Sequence, residues 1–246
     1  MVSINSFLLK LVFWSLVVSL ASAGRAEMPS ADVPDPDIDP CRYFTLDEER
    51  VDFFIEMRLE QKQVPLSVPK IFLEDRWDYV NGASHRSQLF RVTIDTFTPL
   101  TRRQASQQNQ LGSKNRMIFL AGDRVDMTSI ATNTMLFADP GPHDRTFETY
   151  ALESAAYDLM RAIPKGNEPQ RDVYVLIDEN GTPETVIACS KHGLVKFPGC
   201  EHHFRASGID VLANYPITTL AHWRTIENNI AQFFSCAVES YNTEDI

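Results

Sequence analysis

The stretch DVYVLIDENGTPETVIACSKHGLVKFPGCEHHFRASGIDVLANYPITTLAHWRTIENNIAQFFSCA, residues 172–237, decides the fold. Val173, Val175 and Ile177 recur with the period of two expected of a strand. Glu179-Asn180-Gly181 sets Asn-Gly at the centre of a hairpin turn, and Thr185 to Cys189 returns. His202 and Phe204 share one face of a third strand. Ser207-Gly208 turns it into a fourth, Ile209 to Tyr215, which Pro216 ends. The final helix places Leu220, Trp223, Ile226, Ile230 and Phe233 on one apolar stripe. The predicted class is therefore α+β: antiparallel sheet, with an amphipathic C-terminal helix packed on a four-strand meander.

That stretch holds three of the four cysteines, Cys189, Cys200 and Cys236, and the fourth is Cys41. An even count in an exported chain favours disulfides, and three connectivities are possible. Cys189 with Cys200 is preferred, because the two flank one loop between adjacent strands. Cys41 with Cys236 then ties the start of the domain to the last helix. A rival reading takes Cys189, His192, Cys200, His202 and His203 as zinc ligands, but their spacing matches no specific zinc motif. Strand parity instead sends Cys200, His202 and Phe204 to one face, towards the Leu220, Trp223 and Ile226 stripe. His202, Phe204 and Tyr215 are then core residues, and no metal or other cofactor is expected.

Export is read from the N-terminus. Lys10, an apolar run from Leu11 to Leu20 and Ala21-Ser22-Ala23 have the parts of a signal peptide over residues 1–23. The run is too short to span a bilayer, so the expected location is periplasmic or secreted, with no transmembrane segment after cleavage. Residues 24–40 form an acidic, Pro-rich linker. Its aspartates Asp35, Asp37 and Asp39 lack the glycine turn and distal glutamate of a calcium loop. Residues 41–246 follow as one α+β domain, with 41–145 and 146–246 as candidate subdomains.

Between these landmarks the patterns are weaker. Val51, Phe53, Ile55, Met57 and Leu59 alternate as a half-buried strand, after which Pro65 and Pro69 break regular structure. Ile71 to Leu73 is a short strand candidate, and Gln88 to Phe97 a clear one. Thr98 to Asn115 reads as a long polar loop. Its cations Arg102, Arg103, Lys114 and Arg116 make it the candidate interaction loop on an otherwise acidic chain. Met117–Leu120 and Val125–Ile130 read as a hairpin, and Thr146 to Ala162 as a helix ended by Pro164.

Formal net charge is −10, with 23 basic and 33 acidic residues. That balance opposes binding to nucleic acid or anionic lipid and fits solubility, or a basic protein partner. The chain has no Gly-x-Ser-x-Gly elbow, no His-Glu-x-x-His helix and no glycine-rich phosphate loop. Ser84-His85 are merely sequence neighbours, and no catalytic residue is assigned. Asn180-Gly181-Thr182 fits the glycosylation pattern, but the hairpin turn explains it without modification.

The run Cys189…Phe197-Pro198-Gly199-Cys200-Glu201-His202-His203-Phe204, followed by Val211…Tyr215 and Leu220-Ala221-His222-Trp223, resembles uncharacterised exported bacterial proteins. They share a Cys…Pro-x-Cys-x-His-x-Phe hairpin and a Leu-x-x-Trp helix. The resemblance covers the last third of the chain, transfers no catalytic residue, and implies a link to type VI secretion immunity. The expected function is an exported, non-catalytic protein acting by protein–protein contact, as an envelope accessory or an immunity-like inhibitor of an effector. An exported hydrolase using carboxylates or a Cys/His-bound metal is the alternative from another class. A small-ligand or envelope-binding module is the third.

Overall fold

The computed structural model describes residues 33–45, 49–110, 114–139, 146–165, 169–191 and 193–244. The expected signal peptide and the first part of the linker lie outside the described residues, as does His192. All described residues belong to one unit, Ala31–Ile246.

Eleven strands and three α-helices are described. In chain order they are β1 (Arg50–Met57), β2 (Lys62–Pro69), β3 (Ala83–His85), β4 (Ser87–Val92), α1 (Arg102–Gln110), β5 (Met117–Gly122) and α2 (Met127–Ala138). There follow β6 (Leu152–Ser154), β7 (Met160–Ala162), β8 (Arg171–Ile177), β9 (Pro183–Ser190), β10 (Gly199–Ala206), β11 (Ile209–Pro216) and α3 (Trp223–Glu244). Eight strands form one antiparallel sheet in the order β4-β5-β11-β10-β9-β8-β7-β6. The class is α+β. Because β5 pairs with β11, both halves of the chain build the same sheet.

The predicted meander β8–β11 is the centre of that sheet. Its inward residues Cys200, His202, Phe204, Val211, Ala213 and Tyr215 are buried, facing α3 and a three-stranded sheet of order β2-β1-β3. Trp223, Ile226, Ile230 and Phe233 of α3 are also buried, each at 2% exposure or less. Phe233 is the hub: its ring lies 4.8 Å from Phe72, 5.4 Å from Phe90 and 5.7 Å from Phe97, centroid to centroid. Burying a ring of that size stabilises by roughly 1.5–3 kcal/mol. Leu220 belongs to a 3-10 turn, Ile217–His222, that leads into α3 rather than to the helix itself. On the opposite sheet face Ile130, Ala131, Met135 and Ala138 of α2 pack on Val173, Val175, Val186 and Ala188.

Several expectations are corrected. Pro65 does not break regular structure but lies inside β2, and Pro69 is the last residue of that strand. Lys70 N–H donates to Glu49 C=O at 2.8 Å, which fixes the pairing parity. Residues 65 and 69 then turn their nitrogens to the open edge, where proline costs no ladder bond. Leu59, expected on the buried face, is 67% exposed beyond the end of β1. Ile71 lies in a 3-10 turn, Lys70–Phe72, not a strand. Val125–Ile130 is no hairpin arm: α2 starts at Met127, capped by Asp126, whose carboxylate accepts from Ser129 N–H.

The helix expected over Thr146 to Ala162 is a 3-10 turn and the short hairpin β6–β7. Tyr157 and Asp158 turn that hairpin with φ of 65° and 59°, a left-handed pair incompatible with an α-helix. The Trp223 indole N–H donates to Tyr157 C=O at 3.0 Å and holds the turn. The expected linker is ordered at its end: Ile38 is buried in the main core, and Asp35 N–H donates to Asp95 C=O.

Candidate interaction groove

β9 and β10 pair so that Cys189 stands directly opposite Cys200, and the two are bonded with Cα atoms 4.0 Å apart. Cys41 is bonded to Cys236 across a separation of 195 residues. The cysteines therefore offer no thiolate to a metal, and His202 and His203 lie on opposite sheet faces. Among the described residues no group of three or more His, Cys, Asp or Glu could hold an ion.

The first bond closes a loop whose apolar side chains have no core to enter. Leu194, Val195 and Phe197 are 62%, 46% and 64% exposed, and the Lys196 ammonium lies over the Phe197 ring, 5.1 Å from its centroid. Beside this loop runs a groove of about 450 Å³. Its floor is one row of the sheet, where Ile118 of β5 pairs with Asn214 of β11 and Asn214 with Glu201 of β10. The loop, with Lys196, Phe197 and Pro198, forms one wall. Asn109 at the end of α1, Lys114 and Arg116 form the other. Arg116 Nη2 donates to Asn109 Oδ1 at 3.2 Å, so α1 holds that cation in place.

Charge sets this groove apart from the rest of the chain. Lys114, Arg116, Arg171 and Lys196 line it against one carboxylate, Glu201. Arg171 grips that carboxylate with both terminal nitrogens, at 2.5 and 3.2 Å, which neutralises it. The result is a positive groove on a chain of net charge −10.

The four cations of the expected loop therefore part company. Lys114 and Arg116 line the groove, whereas Arg102 pairs with Glu74 at 3.2 Å and Asp75 at 3.8 Å. Arg103 is exposed on α1 and does not line the groove. Half of the expected loop, Arg102–Gln110, is helical. Thr101 and Gln104 cap α1 reciprocally: Thr101 N–H donates to Gln104 Oε1 at 2.9 Å, and Gln104 N–H to Thr101 Oγ1 at 3.2 Å.

Reading the sequence also missed Arg171, Lys196, Phe197 and Glu201. For Lys196 and Phe197 a signal existed, since a disulfide-closed loop bearing three large apolar residues has nowhere to bury them. Arg171 and Glu201 carry none, because β8 and β10 meet only across β9.

The expected core residues form a closed polar network behind the groove. His202 Nε2 donates to Glu227 at 3.1 Å, and the Tyr215 hydroxyl donates to Nδ1 at 3.3 Å. Thr185 Oγ1 donates to the same Glu227 oxygen at 3.0 Å. Burial holds the His202 pKa below its usual value, against the pull of Glu227, and raises that of Tyr215. His202 itself is fully buried, out of reach of a substrate, and its bond to Glu227 fixes α3 on β10. Ser84 accepts from Gln63 Nε2 at 2.9 Å, so its observed partner is Gln63. Asn180-Gly181 is a turn, with Gly181 at φ 81° and the Asp178 carboxylate accepting from Asn180 and Thr182 N–H.

Neither a protein-family model nor a curated protein sequence matches the chain. Among solved structures it is similar to an immunity protein of the Stenotrophomonas maltophilia type IV secretion system. The two are 13% identical, with a TM-score of 0.53 over 77% of this chain and 93% of that one. The fold is shared with that protein. The iron-regulated outer membrane lipoprotein FrpD of Neisseria meningitidis also matches, at 12% identity and a TM-score of 0.49, over 85% of this chain and 98% of that one.

Proposed function

We propose that this is an exported protein that acts by binding another protein, as an immunity-type inhibitor of an effector or an envelope accessory, and not by catalysis. The observation that carries the reading is the stapled loop beside the groove. Phe197, Leu194 and Val195 are held in solvent by the Cys189–Cys200 bond, and large apolar side chains presented on a constrained loop are the ordinary means of protein recognition.

Other features support it. Two disulfides suit an oxidising compartment, in keeping with the signal peptide expected over residues 1–23. The fold is shared with a type IV secretion immunity protein, whereas the sequence resemblance points to type VI. Both support the reading of a protein that binds a secreted effector.

Affinity capture with disulfide-intact protein tests the proposal. Envelope extract from the source cell should yield one reproducible partner, retained by the wild type and lost with Leu194→Ser/Phe197→Ser. Failure to retain any partner, or equal retention by the variant, would count against contact through this loop.

A further inference from the structure

We infer that the groove binds an acidic, extended segment of the protein partner, with an apolar side chain of that segment set against Phe197. The inference rests on the protein-contact reading above and specifies its chemistry. It reverses the expectation drawn from net charge, that the partner should be basic.

The cations stand at the two ends of the groove. Lys114 and Arg116 precede β5, while Lys196 and Arg171 lie beyond β10. Three strand intervals separate β5 from β9, the strand that leads into the Lys196 loop, roughly 14 Å at ~4.8 Å per interval. An extended peptide of about five residues covers that span at ~3.3 Å per residue. Carboxylates near its ends would meet the cations. Its middle would lie on Ile118 and Asn214, beside the Phe197 wall.

Arg171 is already paired with Glu201. Lys114 and Lys196 are exposed and have no carboxylate within ion-pair distance among the described residues. Arg116 is directed by an amide, not by an acid. These three cations therefore have charge to offer a ligand.

Nucleic acid fits less well. Three such cations and one exposed aromatic ring make a poor track for a phosphate backbone, and a chain of net charge −10 repels a polyanion at long range. A single small anion would leave the apolar length of the groove uncovered.

The test uses disulfide-intact protein and a fluorescein-labelled nonapeptide of alternating Glu and Asp around a central Leu-Trp pair. The controls are the same peptide with Gln and Asn for the acids, a ten-residue oligothymidylate and inorganic phosphate. Fluorescence anisotropy should show saturable binding of the acidic peptide that weakens with salt. Binding should fall at least tenfold in Lys114→Glu/Lys196→Glu and in Phe197→Ala, with melting temperatures unchanged because these side chains are exposed. Equal binding of the neutral peptide, undiminished binding by the charge-reversed variant, or preference for oligothymidylate or phosphate would overturn the inference. Failure here is separable from failure of the protein-contact reading. A charge-reversed variant that captures the partner in undiminished yield sinks only the acidic segment. Peptide binding without any captured partner sinks only the function.

Discussion

His202 joins three elements through its two ring nitrogens, accepting from Tyr215 on β11 and donating to Glu227 on α3 from its own place on β10. Replacing it by leucine keeps much of the volume but strands the Tyr215 hydroxyl and removes one donor from Glu227. A buried polar group without its partner costs about 1–3 kcal/mol. His202→Leu should lose that much, read as a fall in the urea midpoint, and an unchanged midpoint would deny the network its structural role. The neighbouring ring behaves differently. His203 faces the other side, where burial first and Arg124 second push its pKa down to about 4, against Glu201. Its Nδ1 is buried without a hydrogen-bond partner among the described residues. Because the unfolded chain takes up this proton near pH 6.5 and the folded one only near 4, stability should decline as pH falls through that window. The ceiling for this residue is about 3 kcal/mol, and His202, depressed in the same direction, adds to the slope. Thermal melts from pH 7 to 4.5 should show the decline, and His203→Leu should flatten it with little change at pH 7.

The four meander strands and α3 were legible because each carries its own period and its own turn. Elsewhere local pattern and tertiary context disagreed. Phe147, Tyr150, Ala151, Ser154 and Ala155 have helical spacing, yet the left-handed pair at Tyr157 and Asp158, held by Trp223 from far along the chain, makes a hairpin there. α1 was hidden for the opposite reason. Of its nine residues only Ala105 is buried, so it has almost no apolar stripe, and its one signal was the Thr101-x-x-Gln104 cap. Removing that cap with Thr101→Ala should cost about 1 kcal/mol of helix stability. It should also loosen Asn109 and Arg116, measurable as faster amide exchange over residues 102–110. The disulfides differ by loop size. In the chain-entropy model, opening the pair 11 residues apart costs about 3 kcal/mol and opening the pair 195 apart about 5 kcal/mol. Cys41→Ala/Cys236→Ala should therefore unfold at lower denaturant than Cys189→Ala/Cys200→Ala, whose larger effect should be on the loop and on partner binding. The reverse ranking of midpoints would show that local constraint outweighs chain entropy.

For the whole molecule, net charge alone pointed to a basic partner, whereas the groove is lined by cations. Net charge is a sum over the surface, and it concealed a groove of opposite sign assembled from residues 114, 116, 171 and 196. No reading along the chain brings those together; the register of β5, β11, β10, β9 and β8 does. The stretch that decided the fold therefore also carries half of the candidate site, because its disulfide both staples β9 to β10 and exposes the loop between them. The central claim is that this loop and groove contact a protein. Its most direct test is a photo-cross-linking amino acid placed at position 197 and, as a control, at position 77, where Trp77 is 71% exposed and does not line the groove. Irradiation in the cell envelope should give one discrete adduct from position 197 and none from 77. Adducts of equal yield from both positions, or none from 197, would contradict it.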